Sequence, residues 1–198
     1  MKRLHLISIM MIVALASLSG LAQAHTGEAS GTGFMHGFGH PLGGVDHLLA
    51  MMAVGLWAGQ LDGAASWRIP LAFVAMMVAG GVAGMLSVPL PMVESGIIGS
   101  LIVLGALIAL ATRLPVAGGM ALVGLFAVFH GHAHGMEMPA TSGPLLYATG
   151  FVAATVLLHA MGVALSLGLQ QGQAMPKGLI RVGGGAIAAA GIYLVAGF

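Results

Sequence analysis

From about Gly39 to the end of the chain, apolar residues run in blocks of roughly 17–25, the length that crosses a bilayer as a helix. The blocks fall at 39–61, 68–88, 94–111, 114–134, 144–169 and 179–197. Short links rich in turn residues separate them: Asp62-Gly63, Val88-Pro89-Leu90-Pro91, Arg113 with Pro115, Met138-Pro139 through Gly143-Pro144, and Gln170 through Lys177. Proline lacks the amide a helix needs, and glycine loses the most backbone entropy in one, so both punctuate helices. The pattern predicts an all-α membrane protein, a bundle of six transmembrane helices over 39–198 with no soluble domain between spans. Spans one and four run in opposite directions and both carry histidines at one end. That suits a 3+3 inverted repeat, although the halves share no visible identity.

The first residues follow another pattern. Lys2 and Arg3 precede an apolar run that ends in Ala22-Gln23-Ala24. This is the order of a cleavable secretory signal peptide, expected over 1–24, with 25–38 left as a periplasmic segment; the rival reading is an uncleaved first helix. His5 then belongs to the leader and His25 begins the mature chain.

Composition agrees with lipid as the solvent: 59% of the 198 residues are hydrophobic and 6% are charged, against about 25% charged in soluble domains. Beyond the leader, the basic residues are Arg68, Arg113, Lys177 and Arg181, which flank alternate links, while Glu94 and Glu137 fall in the others. The positive-inside rule places the basic links in the cytoplasm and predicts an N-out/C-out topology in a bacterial inner membrane. A net charge of +1 gives no reason to expect nucleic acid as a partner. The absence of cysteine excludes disulfides, iron–sulfur clusters and thiolate zinc sites. Most of the 33 glycines suit close helix packing, as in Gly80-Gly81-Val82-Ala83-Gly84 and Gly183-Gly184-Gly185.

Nine histidines in so apolar a chain are the chemical signal. His40, Asp46 and His47 head the first block, although an aspartate at the centre of a membrane helix costs about 2.5–3.5 kcal/mol on insertion scales. On one continuous helix, His40, Gly44, His47, Met51, Gly55 and Ala58 share a face, with Pro41 in the first turn and Asp46 about 100° from His47. A second cluster, Phe129-His130-Gly131-His132-Ala133-His134-Gly135-Met136-Glu137, closes the fourth block. There His130 and His134 are one turn apart, Glu137 follows on the same side, and His132 points elsewhere. His159 lies deep in the fifth block, on a face with Ala148, Thr155, Gly162 and Ser166. His36 precedes the first block as a further candidate ligand, and Met51 is either a soft ligand or packing. Imidazoles and carboxylates without thiolates suit Ni²⁺, Co²⁺, Zn²⁺ or Cu²⁺.

At these residues the chain resembles the HupE/UreJ family of nickel/cobalt permeases. The signature HPxxGxDHxxxMxxVGxxA is matched by His40, Pro41, Gly44, Asp46, His47, Met51, Val54, Gly55 and Ala58. A second element, FHGxAHGxE, is matched by Phe129, His130, Gly131, Ala133, His134, Gly135 and Glu137. The resemblance spans the chain and implies movement of Ni²⁺, or Co²⁺, from periplasm to cytoplasm for hydrogenase or urease maturation. It implies delivery to the accessory proteins of those enzymes, and is compatible with a homo-oligomer. It carries His40, Asp46 and His47 over as metal-recognition residues, with His130, His134 and Glu137 as contributors.

A permeant ion must be bound well enough to shed water and weakly enough to leave, which an open His/Asp site meets better than a closed tetrahedral one. No nucleotide-binding motif is present. The metal is therefore expected as the transported ion, with no prosthetic group, in a protein that is not an enzyme. Two rivals use the same residues: an intramembrane zinc-dependent hydrolase, in which the metal activates water, and a di-haem cytochrome with axial histidines.

Overall fold

The computed structural model describes residues 33–171 and 178–196. The expected leader 1–24, His25 and the segment holding Lys177 lie outside the described residues. Seven helices follow one another: α1 (Gly33–Gly43), α2 (Val45–Leu61), α3 (Ala65–Met85), α4 (Val93–Leu110), α5 (Val116–Met136), α6 (Pro144–Gln171) and α7 (Gly178–Ala196). There is no strand among the described residues. Helices α3 to α7 are each long and apolar enough to cross a membrane, and their ends lie within three residues of the blocks expected from the sequence. Large apolar side chains such as Leu71, Val82, Leu125, Val156 and Ile192 are exposed around the bundle. In water so much exposed apolar surface would drive association, whereas hydrocarbon solvates it. The protein is a multi-pass membrane protein.

The first span departs from expectation. It is not one helix over 39–61 but two, α1 and α2, bent by 83° at Gly44. Counted as one broken span, the pair makes the sixth crossing. The cause is local. Gly43 and Gly44 have the weakest helix propensity of any residue but proline, and Gly-containing pairs are common kink sites. Gly44 adopts an extended conformation, φ −100° and ψ 121°, and α2 starts afresh after it. The single face from His40 through Gly44 to His47 therefore does not exist. Pro41 stands near the C-terminal end of α1 rather than in a first turn.

Glycine sets how the helices pair. On α3 and α5, Gly80 faces Val128, Gly84 faces the His132 carbonyl, and Gly131 and Gly135 face Met77 and Gly81 in return. A Cβ at any of these four would collide with the opposite backbone. Helices α2 and α6 pair the same way: Gly55 and Gly59 lie against Gly162 and Ser166, and Gly162 against Met52. Both pairs run parallel. Helices α4 and α7 run antiparallel, through Gly105 with Gly184 and Gly191 with Leu101. In lipid no hydrophobic effect pushes helices together, so this close backbone approach and its dispersion energy hold the bundle. Exchanging the two three-span halves interchanges the parallel pairs and maps the α4–α7 pair onto itself, as a 3+3 arrangement requires. The substantial α2–α4 packing, however, has no comparable α5–α7 counterpart.

The C-terminal end of α4 is tied down by polar side chains. Gln60 donates to the Ile108 carbonyl, Arg181 Nε to that of Ala109, and Trp57 Nε1 to that of Thr112, at 3.2, 2.7 and 3.1 Å. These bonds add donors to carbonyls at and just past the helix end, where intrahelical donors run out. Arg68, Arg113 and Arg181 mark this end of the bundle; the histidines gather at the other.

Candidate metal site

The bend at Gly44 builds the site. Starting α2 there puts Asp46 and His47 in its first turn, where an acidic group is favoured by the helix dipole. Asp46 Oδ1 accepts the backbone N–H of His47 at 2.8 Å and its ring Nδ1–H at 3.1 Å. The carboxylate folds back over Gly44, whose missing Cβ would sit 2.8 Å from Asp46 Oδ1. Gly44 is thus needed twice, for the bend and for the carboxylate. The bond fixes the ring: Nδ1 carries the proton, so Nε2 presents its lone pair. That Nε2 is buried and has no hydrogen-bond partner among the described residues.

Helix α5 supplies the facing rings. His130 lies 5.0 Å from His47 between centroids, at 90°, and His134 lies 4.6 Å from His47. Both are fully buried. Ser100, on α4, donates to the Ile97 carbonyl at 2.6 Å and so has its lone pairs free to accept His130 Nε2–H at 3.0 Å. His130 therefore directs an unpartnered Nδ1 lone pair elsewhere. His134 stacks on Phe151 at 5.4 Å, and neither of its nitrogens has a partner among the described residues. A neutral imidazole has one donor and one acceptor to satisfy, and a buried polar group left unpaired costs about 1–3 kcal/mol. Three such rings in contact leave buried lone pairs that a Lewis-acidic cation can accept.

His40 brings α1 into the site. Its ring is 4.9 Å from that of His134 and 6.0 Å from Tyr147. Its Nε2–H donates to Glu137 Oε2 at 2.7 Å, with both side chains partly open to solvent. His40, His134 and Glu137 can each offer a ligand atom within 4.8 Å of the others. The chain thus places His40, His47, His130, His134 and Glu137 together although the first two lie on separate helices, and Asp46 supports them through His47.

The remaining candidates stand apart. His36 Nδ1 lies 3.2 Å from Ser142 Oγ and links α1 to the segment between α5 and α6. His132 donates to the Val88 carbonyl at 2.7 Å and pins the link after α3. Met51 is fully buried one turn beyond His47 on α2, within the apolar core. His159 is buried deeper, edge-on to Phe73 at 5.0 Å. Ser100 and the aromatic wall of Phe73, Tyr147 and Phe151 were not singled out from the sequence. Ser100 left one signal, a lone hydroxyl amid apolar residues; the aromatics left none distinct from packing.

A family model described as HupE / UreJ protein matches residues 13–194. Protein HupE of Rhizobium leguminosarum bv. viciae is 45% identical over 186 residues, covering 93% of this chain and 95% of that protein. No solved structure matches the chain. With both signature elements meeting in one buried cluster, and with a match over nearly its full length, the chain belongs to the HupE/UreJ family.

Proposed function

We propose that the protein is a permease that moves Ni²⁺, or Co²⁺ by the same chemistry, from periplasm to cytoplasm to supply hydrogenase or urease maturation. The observation that carries this reading is the cluster of buried imidazoles of His47, His130 and His134, ring against ring from two helices and with nitrogens that have no partner among the described residues, which adjoins the ligand atoms of His40, His134 and Glu137. A hydrated divalent cation arriving at the histidine end meets His40 and Glu137 first, since these are the open members of the site. It then exchanges water for imidazole as it passes inward to the other three. Asp46 and Ser100 hold two of those rings in the tautomer that exposes a lone pair, as the partners behind ligating histidines do in metal sites generally.

The driving force fits a chain without a nucleotide motif. An inside-negative potential contributes about 2.3 kcal/mol per elementary charge per 100 mV, so a divalent cation gains about 4.6. With the arginine end in the cytoplasm and the histidine end outside, that force is directed inward. Neither the family match nor the relative points to a hydrolase.

The test is uptake of radiolabelled Ni²⁺ into proteoliposomes at limiting metal, with an inside-negative potential. The wild-type protein should accumulate metal and His134→Ala should not. Equal uptake by the two, at equal protein, would refute the assignment of the cluster to the ion path.

A further inference from the structure

Beyond the cluster, α6 carries a histidine that neither signature element includes. Successive rungs on α6 mark its depth. Tyr147 stands beside His40, Phe151 stacks on His134, Thr155 donates to Met77 Sδ at 3.6 Å, and His159 follows. Each step is four residues, about 6 Å of helix, so His159 lies about 12 Å beyond the Phe151 rung. On α5 the step from His134 to His130 covers the first of those turns. Phe73 of α3 occupies the gap that remains, its centroid 5.7 Å from the His130 ring and 5.0 Å from the His159 ring.

His159 is 2% exposed, and neither of its nitrogens has a partner among the described residues. Packing alone does not call for an imidazole there: a leucine would fill the space without burying two unsatisfied polar atoms. The ring also lies in the wall of an open groove of about 560 Å³ on the outer face between α3 and α6. The other side chains there, Val74, Val156 and Val163 among them, are almost all apolar, and His159 is the one imidazole in the lining.

We propose that His159 is a second, inner station for the permeant divalent cation, and that Phe73 is the gate between it and the cluster. The inference rests on the permease reading above. With Phe73 as observed, its ring fills the space an ion would need in passing from His130 to His159. Swung aside by a rotamer change, it leaves the imidazoles of His130 and His159 facing one path. Its edge-on contact with His159 is a weak one and is readily given up. Two modest stations in series suit conduction, since neither holds the ion so tightly that it cannot leave.

The test uses the absence of cysteine from the chain. His159→Cys then carries the only thiol, and Co²⁺ bound to it gives a thiolate-to-metal charge-transfer absorption that packing cannot produce. With full-length protein in proteoliposomes and Co²⁺ added to the histidine side, the band should appear, and Co²⁺ should slow alkylation of the thiol. Adding Phe73→Ala should speed its appearance. In parallel, His159→Gln should lower Ni²⁺ uptake at least about tenfold, the scale on which metal-site residues act, while equilibrium Ni²⁺ binding at the cluster persists. No band, or wild-type uptake by His159→Gln, overturns the inner station. Unchanged band kinetics in Phe73→Ala overturn the gate. Absence of uptake by the wild-type protein would instead refute the permease reading; the band, read at equilibrium, reports on His159 either way.

Discussion

Asp46 touches no other candidate ligand than His47, yet its removal should impair metal handling by an amount the geometry sets. One carboxylate oxygen accepts two bonds, at 2.8 Å from the His47 amide and at 3.1 Å from its ring. Asp46→Asn keeps an oxygen in that place, so the ring retains its orientation and tautomer, and only the charge is lost. A hydrogen bond to a charged group contributes about 1.5–3 kcal/mol and a neutral one about 0.5–1.5. The difference, about 1–1.5 kcal/mol, corresponds to about tenfold in affinity. Asp46→Ala also releases the ring and should fall toward the hundredfold end of the range for such partners. Ni²⁺ uptake at limiting metal, normalised to protein in the membrane, should therefore rank wild type above Asn above Ala. Both variants should insert at least as well as the wild type, because an ionisable group leaves the membrane helix. If Asp46 served only to start α2, Asn, a good helix cap itself, would be silent. Wild-type uptake by Asp46→Asn would refute the reasoning.

Three further outcomes follow from the structure. Gly131→Ala places a methyl group on the Met77 carbonyl and forces α3 from α5. It should lower the thermal stability of the purified protein by about 1–3 kcal/mol, whereas Gly183→Ala, which meets nothing within 4 Å, should not; equal melting of the two would count against the glycine-paired bundle. Ala111 ends α4 in a left-handed conformation, φ 52°, with Thr112 N–H reaching the Leu107 carbonyl; glycine suits that position, so Ala111→Gly should stabilise by about 1 kcal/mol in the same assay. Only neutral imidazole ligates metal, and a free ring titrates near about pH 6.5. Protons should therefore compete, and uptake should fall as the external solution is acidified; a rate rising steadily toward pH 5 would point to proton-driven import instead.

Much of this was legible in the sequence because bilayer thickness imposes one length on every span. Five helices end within three residues of the apolar blocks, each bounded by a glycine, proline or arginine link. The first span was not, since Gly43-Gly44 can be read either as small residues in a helix or as a break. The choice turns on the Asp46 carboxylate folding back over Gly44, a local side-chain contact that the apolar pattern does not report. The cluster was legible for a different reason. Histidine and aspartate are costly in hydrocarbon, so their positions stand out whatever the exact path of the backbone. Their depth is less legible: His130 and His134 share a helix face with Glu137, yet Ser100 serves one and Glu137 faces His40 at the open rim. His132 was expected off the face of His130 and His134, and it reaches the Val88 carbonyl. His36 looks like a further ligand in sequence, and only the fold shows its ring at Ser142.

Metal binding by His47, His130 and His134 would put their rings in the coordination shell of the permeating ion. X-ray absorption of Ni²⁺-loaded, purified full-length protein tests it most directly, because outer-shell scattering from the ring atoms counts imidazoles bound to the ion. The account predicts several imidazoles on nickel in the wild-type protein, and one fewer in each of His47→Ala, His130→Ala and His134→Ala. Nickel coordinated by oxygen alone, or an imidazole count unchanged in all three variants, would contradict it.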